Sequence, residues 1–164
     1  MMNTNQQVIE EFYSGFAAGN AKTMESCYHK DIQFQDPAFG ILKGNDVIDM
    51  WEMLIEKSEG NLKIEFSDVE ADDLTGSANW VAEYHFGKNN RKVVNYIRSS
   101  FEFKDGLIIR HVDHFNIWNW AKQALGLSGY VLGWTGFMQQ KIQQRAIHSL
   151  RMFQKRKAAA DKKV

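Results

Sequence analysis

His111 and Asp113 stand two apart in a run of large apolar residues, Ile108-Ile109-Arg110-His111-Val112-Asp113-His114-Phe115. Alternation of this kind belongs to a strand, in which successive side chains point to opposite faces. One face then takes Leu107, Ile109, His111, Asp113, Phe115 and Ile117, and the other takes Ile108, Arg110, Val112, His114, Asn116 and Trp118. An imidazole and a carboxylate among apolar groups must be paired, neutralised or solvated by a pocket, because a bare buried charge is costly. Residues two apart on a strand lie about 7 Å apart at their alpha carbons, so the two side chains connect directly or through one water. The pair suits proton transfer, with Asp113 as acid/base and His111 its partner, or with Asp113 fixing the tautomer of a shuttling imidazole. A structural hydrogen bond inside a packed core is the alternative use of the same two residues.

Two further groups could assist. Asp36 precedes Pro37, the only proline, which disfavours helical geometry at Asp36 and places its carboxylate at a turn or strand end. It is either a second acid/base group or the cap of the following turn. Tyr13 lies on the apolar stripe of a helix and offers a phenol. The candidate pocket wall comprises Phe12, Phe16, Trp51, Asn95, Ile97, Ser99 and Phe115. His111-Val112-Asp113-His114 does not read as a metal site, since His114 points to the other face and nothing supplies the missing ligands; neither a metal nor another cofactor is expected.

The elements that must position these groups follow from periodicity. Val8, Phe12 and Phe16, with Ile9 and Tyr13 beside them, form a helical stripe stopped at Gly19-Asn20. Asn20 could cap a short second helix over Ala21 to Tyr28, and an extended piece with Ile32 and Phe34 inward then runs to Asp36. A third helix follows Gly44-Asn45, with Val47, Ile48, Trp51, Leu54 and Ile55 on its apolar face. From Leu62 the period becomes 2, with a bulge near Ser67-Asp68, a strand over Ala78 to Phe86, and another over Val93 to Phe103. A plain two-residue turn at Asp105-Gly106 would put the odd faces of the last two strands on opposite sides, so a bulge or a three-residue loop is expected to unite Ile97, Phe101, Ile109 and Phe115. The last strand is expected to reach Trp118, with Asn119 capping a short helix that stops at Gly126. The glycine-containing LSGYVLGWTGF reads as a packed connector, and a final helix over Gly136 to Ala159 carries Met138, Ile142, Ala146, Leu150 and Phe153 in one stripe.

The chain has 164 residues and is 44% hydrophobic, enough for one sizeable core. Cys27 is the only cysteine, which excludes an intrachain disulfide. Residues Met1 to Gln140 hold 12 basic and 19 acidic side chains, whereas Lys141 to Val164 hold 8 and 1, so charges of −7 and +7 are segregated along the chain. A solvated helix face is the plain reading of that basic end; an acidic partner, nucleic acid or an anionic membrane is the other. The aromatic residues have no basic residues interleaved, so no nucleic-acid surface is expected. No apolar run has the length of a signal peptide or a membrane span, and the expectation is a cytoplasmic protein with no membrane partner.

Helix one ending in Gly19-Asn20, the segment Gln33-Phe34-Gln35-Asp36-Pro37-Ala38-Phe39-Gly40, the helix start Gly44-x-x-x-Ile48 and the Asp105-Gly106 hairpin resemble, in that order, the nuclear-transport-factor-2-like superfamily over residues 5 to 120. Its relatives include ketosteroid isomerases, SnoaL-like polyketide cyclases and limonene epoxide hydrolases. The resemblance implies an α+β fold: a cone-shaped curved antiparallel sheet packed on three N-terminal helices, with residues 1–135 as the SnoaL-like domain and 136–164 as an added basic C-terminal helix. It implies an apolar pocket for a small hydrophobic ligand, acid/base chemistry of isomerase, cyclase or hydrolase type, and a homodimer through the outer sheet face, where Val94, Tyr96 and Trp118 could contribute. The isomerases' catalytic base falls at Asp36, their helix-one tyrosine at Phe12, one residue from Tyr13, and their oxyanion-hole acid near Ser99 or Ser100. The hydrolases' last-strand acid falls at Asp113, but their arginine and second aspartate fall near Trp80 and Ala82, which cannot do that chemistry. A non-catalytic ligand carrier or interaction module would use the same pocket.

Overall fold

A computed structural model describes residues 4–162 of the chain. Helix α1 (Thr4–Ala17) buries Ile9, Phe12, Tyr13 and Phe16 and stops where Gly19 takes φ +67°, a conformation costly for any residue with a Cβ. Asn20 then caps α2 (Ala21–Ser26) by accepting the Thr23 N–H at 3.1 Å. Helix α2 is shorter than its expected span: Tyr28 already belongs to β1 (Tyr28–Asp36), where its ring is buried.

Pro37 ends β1, and the chain folds straight back as β2 (Gly40–Lys43), with Asp36 paired to Gly40. Strand β2 went unanticipated because four residues with one inward apolar group, Leu42, carry no periodic signal. Helix α3 (Asn45–Lys57) is rotated slightly from its expected face: Val47, Met50, Trp51 and Met53 are buried, whereas Ile48, Leu54 and Ile55 pack only at its edges.

Strands β3 (Lys63–Ala71), β4 (Thr75–Phe86), β5 (Arg91–Lys104) and β6 (Leu107–His114) complete a six-stranded curved sheet of order β2-β1-β6-β5-β4-β3. Every pairing is antiparallel except β1 with β6, so the sheet is mixed rather than purely antiparallel. The expected bulge in β3 falls between Ser67 and Glu70, with Asp68 at φ +52°.

The β5–β6 hairpin keeps the two-residue Asp105-Gly106 turn, both residues at positive φ, and restores register by a bulge: Lys104 pairs with Leu107 and Phe103 with Ile108, but Glu102 pairs with Arg110. The bulge corrects the predicted face in one respect. Ile109 is the extra residue and is only half-buried, so Ile108 joins the core beside Phe101 and Phe103. From His111 onward the odd residues face inward as expected, with Ser99 opposite Asp113 and Phe101 opposite His111.

Strand β6 ends at His114, earlier than expected. Asn116, in extended geometry, accepts the Asn119 N–H at 3.0 Å and starts α4 (Ile117–Leu125). Asn116 rather than Asn119 is thus the cap, and Trp118 lies on a helix, not on the outer sheet face with Val94 and Tyr96. Helix α4 buries Trp120, Ala121 and Ala124 against Val93 and Ile142. Beyond the end of β6, Gln123 acts as a substitute strand, its side-chain amide bonding both the N–H and the carbonyl of Val94.

The glycine-containing connector is partly helical. It holds α5 (Leu127–Leu132), which presents large apolar groups outward, before α6 (Gly136–Asp161) returns along α3. In α6, Ile142, Leu150 and Phe153 are buried as the stripe predicts, with Leu150 and Phe153 in the main core. The segregated charge meets its complement there: Arg151 bonds Asp46 through two nitrogens, Lys157 reaches Asp49 and Glu52, and Arg156 pairs with Glu56. Each exposed pair contributes at most about 1 kcal/mol. Their common effect is to fix how α6 docks on α3. No helix among the described residues is long and apolar enough to cross a membrane.

Candidate active site

The inward faces of β4, β5 and β6 with α1 and α3 surround a chain of buried polar groups. Asp113 Oδ1 lies 2.8 Å from His111 Nε2 and also accepts the Ser99 hydroxyl. Ser99 Oγ in turn accepts Tyr13 O–H at 2.7 Å and Trp80 Nε1–H at 2.9 Å. On the other side, His111 Nδ1 lies 2.7 Å from the Tyr28 hydroxyl, which accepts Trp51 Nε1–H at 3.0 Å. His111, Ser99, Tyr13, Tyr28, Asp113, Trp51 and Trp80 are all buried.

The protons in this chain can be placed by elimination. An indole N–H only donates, so the Tyr28 oxygen is the acceptor from Trp51, and the phenol's own proton has His111 Nδ1 as its acceptor. The imidazole that accepts at Nδ1 is neutral and carries its proton on Nε2, which donates to Asp113. Burial, with the Asp113 charge added, pushes both the Tyr13 and Tyr28 hydroxyls well above the ordinary phenol range, so both remain donors. Among the described residues both hydrogen bonds to Asp113 fall on Oδ1 and none on Oδ2, and no arginine pairs with it; Arg110 pairs with Glu102 on the outer face.

Asp113 opens onto a cavity of about 440 Å³. Of the predicted site residues, Asp36, Phe16, Trp51, Asn95, Ile97 and Phe115 line it as well. His111, Tyr13, Phe12 and Ser99 do not. Phe12 and Ser99 are corrected as wall residues: Phe12 packs edge-on against Tyr13, Trp51 and His111, and Ser99 lies beneath Asp113 with its hydroxyl fully engaged. His111 and Tyr13 stand behind Asp113 in the same way, as supports that reach the cavity through its carboxylate.

Asp36 caps the following turn, one of the two uses its position suggested, and it also lies on the cavity wall. Its Oδ1 accepts the backbone N–H groups of Ala38 (2.9 Å) and Phe39. The β1–β6 pairing, Phe34 with His111 and Gln35 with Val112, puts Asp36 beside Asp113 on one face. Burial first, and the Asp113 charge in addition, push the Asp36 carboxyl up to about 7, against the two backbone donors. The folded protein therefore holds a proton that the unfolded chain releases in the ordinary carboxylate range, and stability must fall as pH rises through that window towards 7. Urea denaturation at about pH 5 and about pH 8 should show a loss on the order of 2–3 kcal/mol from this group. In Asp36→Asn that component should vanish; an unchanged slope would place the proton elsewhere.

Three contributors escaped the sequence. Tyr28 was assigned to the end of a helix, and its partner His111 is remote in the chain. Trp80 was not among the candidate site residues, although its indole N–H supports Ser99. Tyr84 shares the inward parity of Trp80 and Ala82, which was the available signal. Its hydroxyl accepts Trp120 Nε1–H at 2.7 Å and lines the cavity, and burial pushes it up to about 12, so it keeps a proton to offer. The cavity is also lined by Leu125 and Ser128 and, from α6, by Met138, Lys141, Ile142 and Arg145. Among the described residues no three His, Cys, Asp or Glu side chains are grouped to hold a metal ion.

Comparison with known proteins places this arrangement. The family model described as a SnoaL-like domain matches residues 9–111. Among solved structures, TerC co-crystallised with polyporic acid is similar over 70% of this chain and 92% of its own, at 16% identity and a TM-score of 0.60. A candidate polyketide cyclase from Xanthomonas campestris pv. campestris is similar over 73% and 96%, at 17% identity and a TM-score of 0.60. A limonene-epoxide-hydrolase-like (LEH-like) epoxide hydrolase of M. tuberculosis is similar over 79% and 96%, at 19% identity and a TM-score of 0.58. No curated protein matches the sequence. At these identities the structures speak for the fold, and the family match covers most of the chain: it belongs to the SnoaL-like domain family.

Proposed function

We propose that this chain binds an apolar small molecule in the cavity and moves a proton on it, with Asp113 as acid/base. The observation that carries the reading is the state of Asp113: its Oδ1 is held by Ser99 and His111 while the residue itself faces the cavity. A carboxylate kept only for structure would have both oxygens engaged away from open space.

The chemistry this favours is abstraction and return of a proton next to a carbonyl. Asp113 Oδ2 takes the C–H proton, the C–H electron pair moves into an enolate, and the oxygen charge is met by protonated Asp36 and the Tyr84 hydroxyl. Asp113 then returns the proton to the same or a neighbouring carbon. A carboxyl that keeps its proton up to about pH 7 beside a second acid/base group lets one site supply both an acid and a base. Epoxide hydrolysis fits less well: Trp80 and Ala82 occupy the positions of the hydrolases' remaining polar groups, and the Trp80 indole N–H is already engaged.

Native mass spectrometry of the purified protein tests binding. An apolar molecule should be retained, and Ala82→Phe, which fills the cavity from its wall, should lose it while the circular dichroism spectrum is kept. Incubation in D2O tests the chemistry, since the retained molecule should gain deuterium. Retention without exchange would leave a ligand carrier. The exposed Tyr96 on the outer sheet face is the proposed self-association contact.

A further inference from the structure

Helix α5 is inside out. Its small residues face the protein: an added Cβ at Gly129 would lie 1.9 Å from the Ala121 carbonyl oxygen, and one at Gly133 would lie 2.8 Å from the Ala121 methyl. Its large apolar residues face away, with Leu127 80%, Tyr130 63% and Val131 55% exposed. The surface continues through Trp134 and Phe137, each 63% exposed, at the start of α6. An isolated exposed leucine needs no explanation, but a block of adjoining leucine, valine and aromatic side chains marks an interaction surface.

The charge around this block selects the partner. No aspartate or glutamate occurs from Phe115 to Ala160. Arg151, Arg156 and Lys157 in the distal half of α6 meet the acids of α3, but Lys122, Lys141 and Arg145 have no carboxylate partner among the described residues. Two of them sit on the aromatic rim: Lys122 lies 4.5 Å from the Trp118 ring centre and Lys141 lies 4.6 Å from that of Phe137. A second copy docked face to face would bring these lysines together with nothing between them to neutralise them. A bilayer with anionic headgroups accepts both parts at once, with apolar and aromatic groups at the acyl boundary and lysines among the phosphates.

We infer that the α5–α6 elbow is an interfacial anchor that seats the protein on an anionic lipid surface. Residues beside the anchor, Leu125, Ser128, Met138 and Lys141, also line the cavity, so the anchored protein would hold that side of the cavity next to the membrane. The expectation of no membrane partner rested on the lack of a spanning segment, and surface adsorption requires none.

Co-sedimentation of the full chain with phosphatidylcholine vesicles, with and without phosphatidylglycerol, tests this in the absence of any ligand, so the result is independent of what the cavity does. Binding is expected to the anionic vesicles and to weaken with salt. Trp134→Ser combined with Phe137→Ser should weaken it about tenfold or more, since apolar burial and charge both contribute to adsorption. Lys122→Gln combined with Lys141→Gln should weaken binding to anionic vesicles only. Trp134, Phe137 and Lys141 are exposed and Lys122 is half-buried, so thermal melts should stay close to the parent and separate lost binding from lost fold. Absence of vesicle binding by the parent would overturn the assignment. So would sedimentation velocity showing a self-associated parent that the serine variant dissociates, with vesicle binding unchanged.

Discussion

Asp113→Asn is expected to lower turnover of any substrate, or deuterium incorporation into a retained molecule, by between about a hundredfold and ten-thousandfold, the range for loss of a positioned acid/base group. Asparagine has the shape of the carboxylate and keeps an oxygen for Ser99 and His111, so the supports can stay in place. What is lost is the basic oxygen in the cavity. Ligand retention by native mass spectrometry should change far less than turnover. The two readouts together distinguish the alternatives: retention kept with exchange lost assigns Asp113 the chemical step, whereas both unaltered would remove Asp113 from the site. Loss of both together with the fold would mean that the carboxylate serves the core, and urea denaturation of the same variant detects that case.

The features legible in the sequence were those carried by local periodicity. Val8, Phe12 and Phe16, with Ile9 and Tyr13 beside them, announced α1, Asn20 its capping role, and the alternation of β6 brought His111 and Asp113 to one face. The β6 bulge was inferred from the requirement to keep apolar groups together, but its position at Ile109 was not, because a run of Leu-Ile-Ile offers no mark of which residue is extra. Asp36 was found through Pro37, whose restriction on the preceding residue acts over one bond. Its raised carboxyl was beyond reach, because that depends on burial and on the neighbouring strand. The packed connector holds a helix that its sequence did not announce. Only the packing of Gly129 against Ala121 shows that its glycines make close helix contact and turn the large residues outward.

Tyr28→Phe should have the largest effect on stability of any single-atom deletion in the site. The hydroxyl is buried and holds two partners that have no other: it accepts from Trp51 Nε1 and donates to His111 Nδ1. Each buried polar group left without a partner costs about 1–3 kcal/mol, and phenylalanine leaves two, so a loss of about 2–5 kcal/mol is expected in urea denaturation. The ring itself stays, with its contact to Phe12 at 5.1 Å between centres, so the change reads the hydroxyl rather than a cavity. A second consequence follows from the proton placement. Without the Tyr28 proton to accept, Nδ1 no longer fixes the tautomer, and the Nε2–H bond to Asp113 is no longer enforced. Imidazole 15N chemical shifts should show one neutral tautomer, protonated on Nε2, in the parent and a mixture in the variant. Turnover should fall with it, by less than in Asp113→Asn, since the base remains and only its orientation is loosened. A variant with parental stability and an unchanged imidazole spectrum would mean that Tyr28 does not hold His111, and the support for Asp113 would then rest on Ser99 alone.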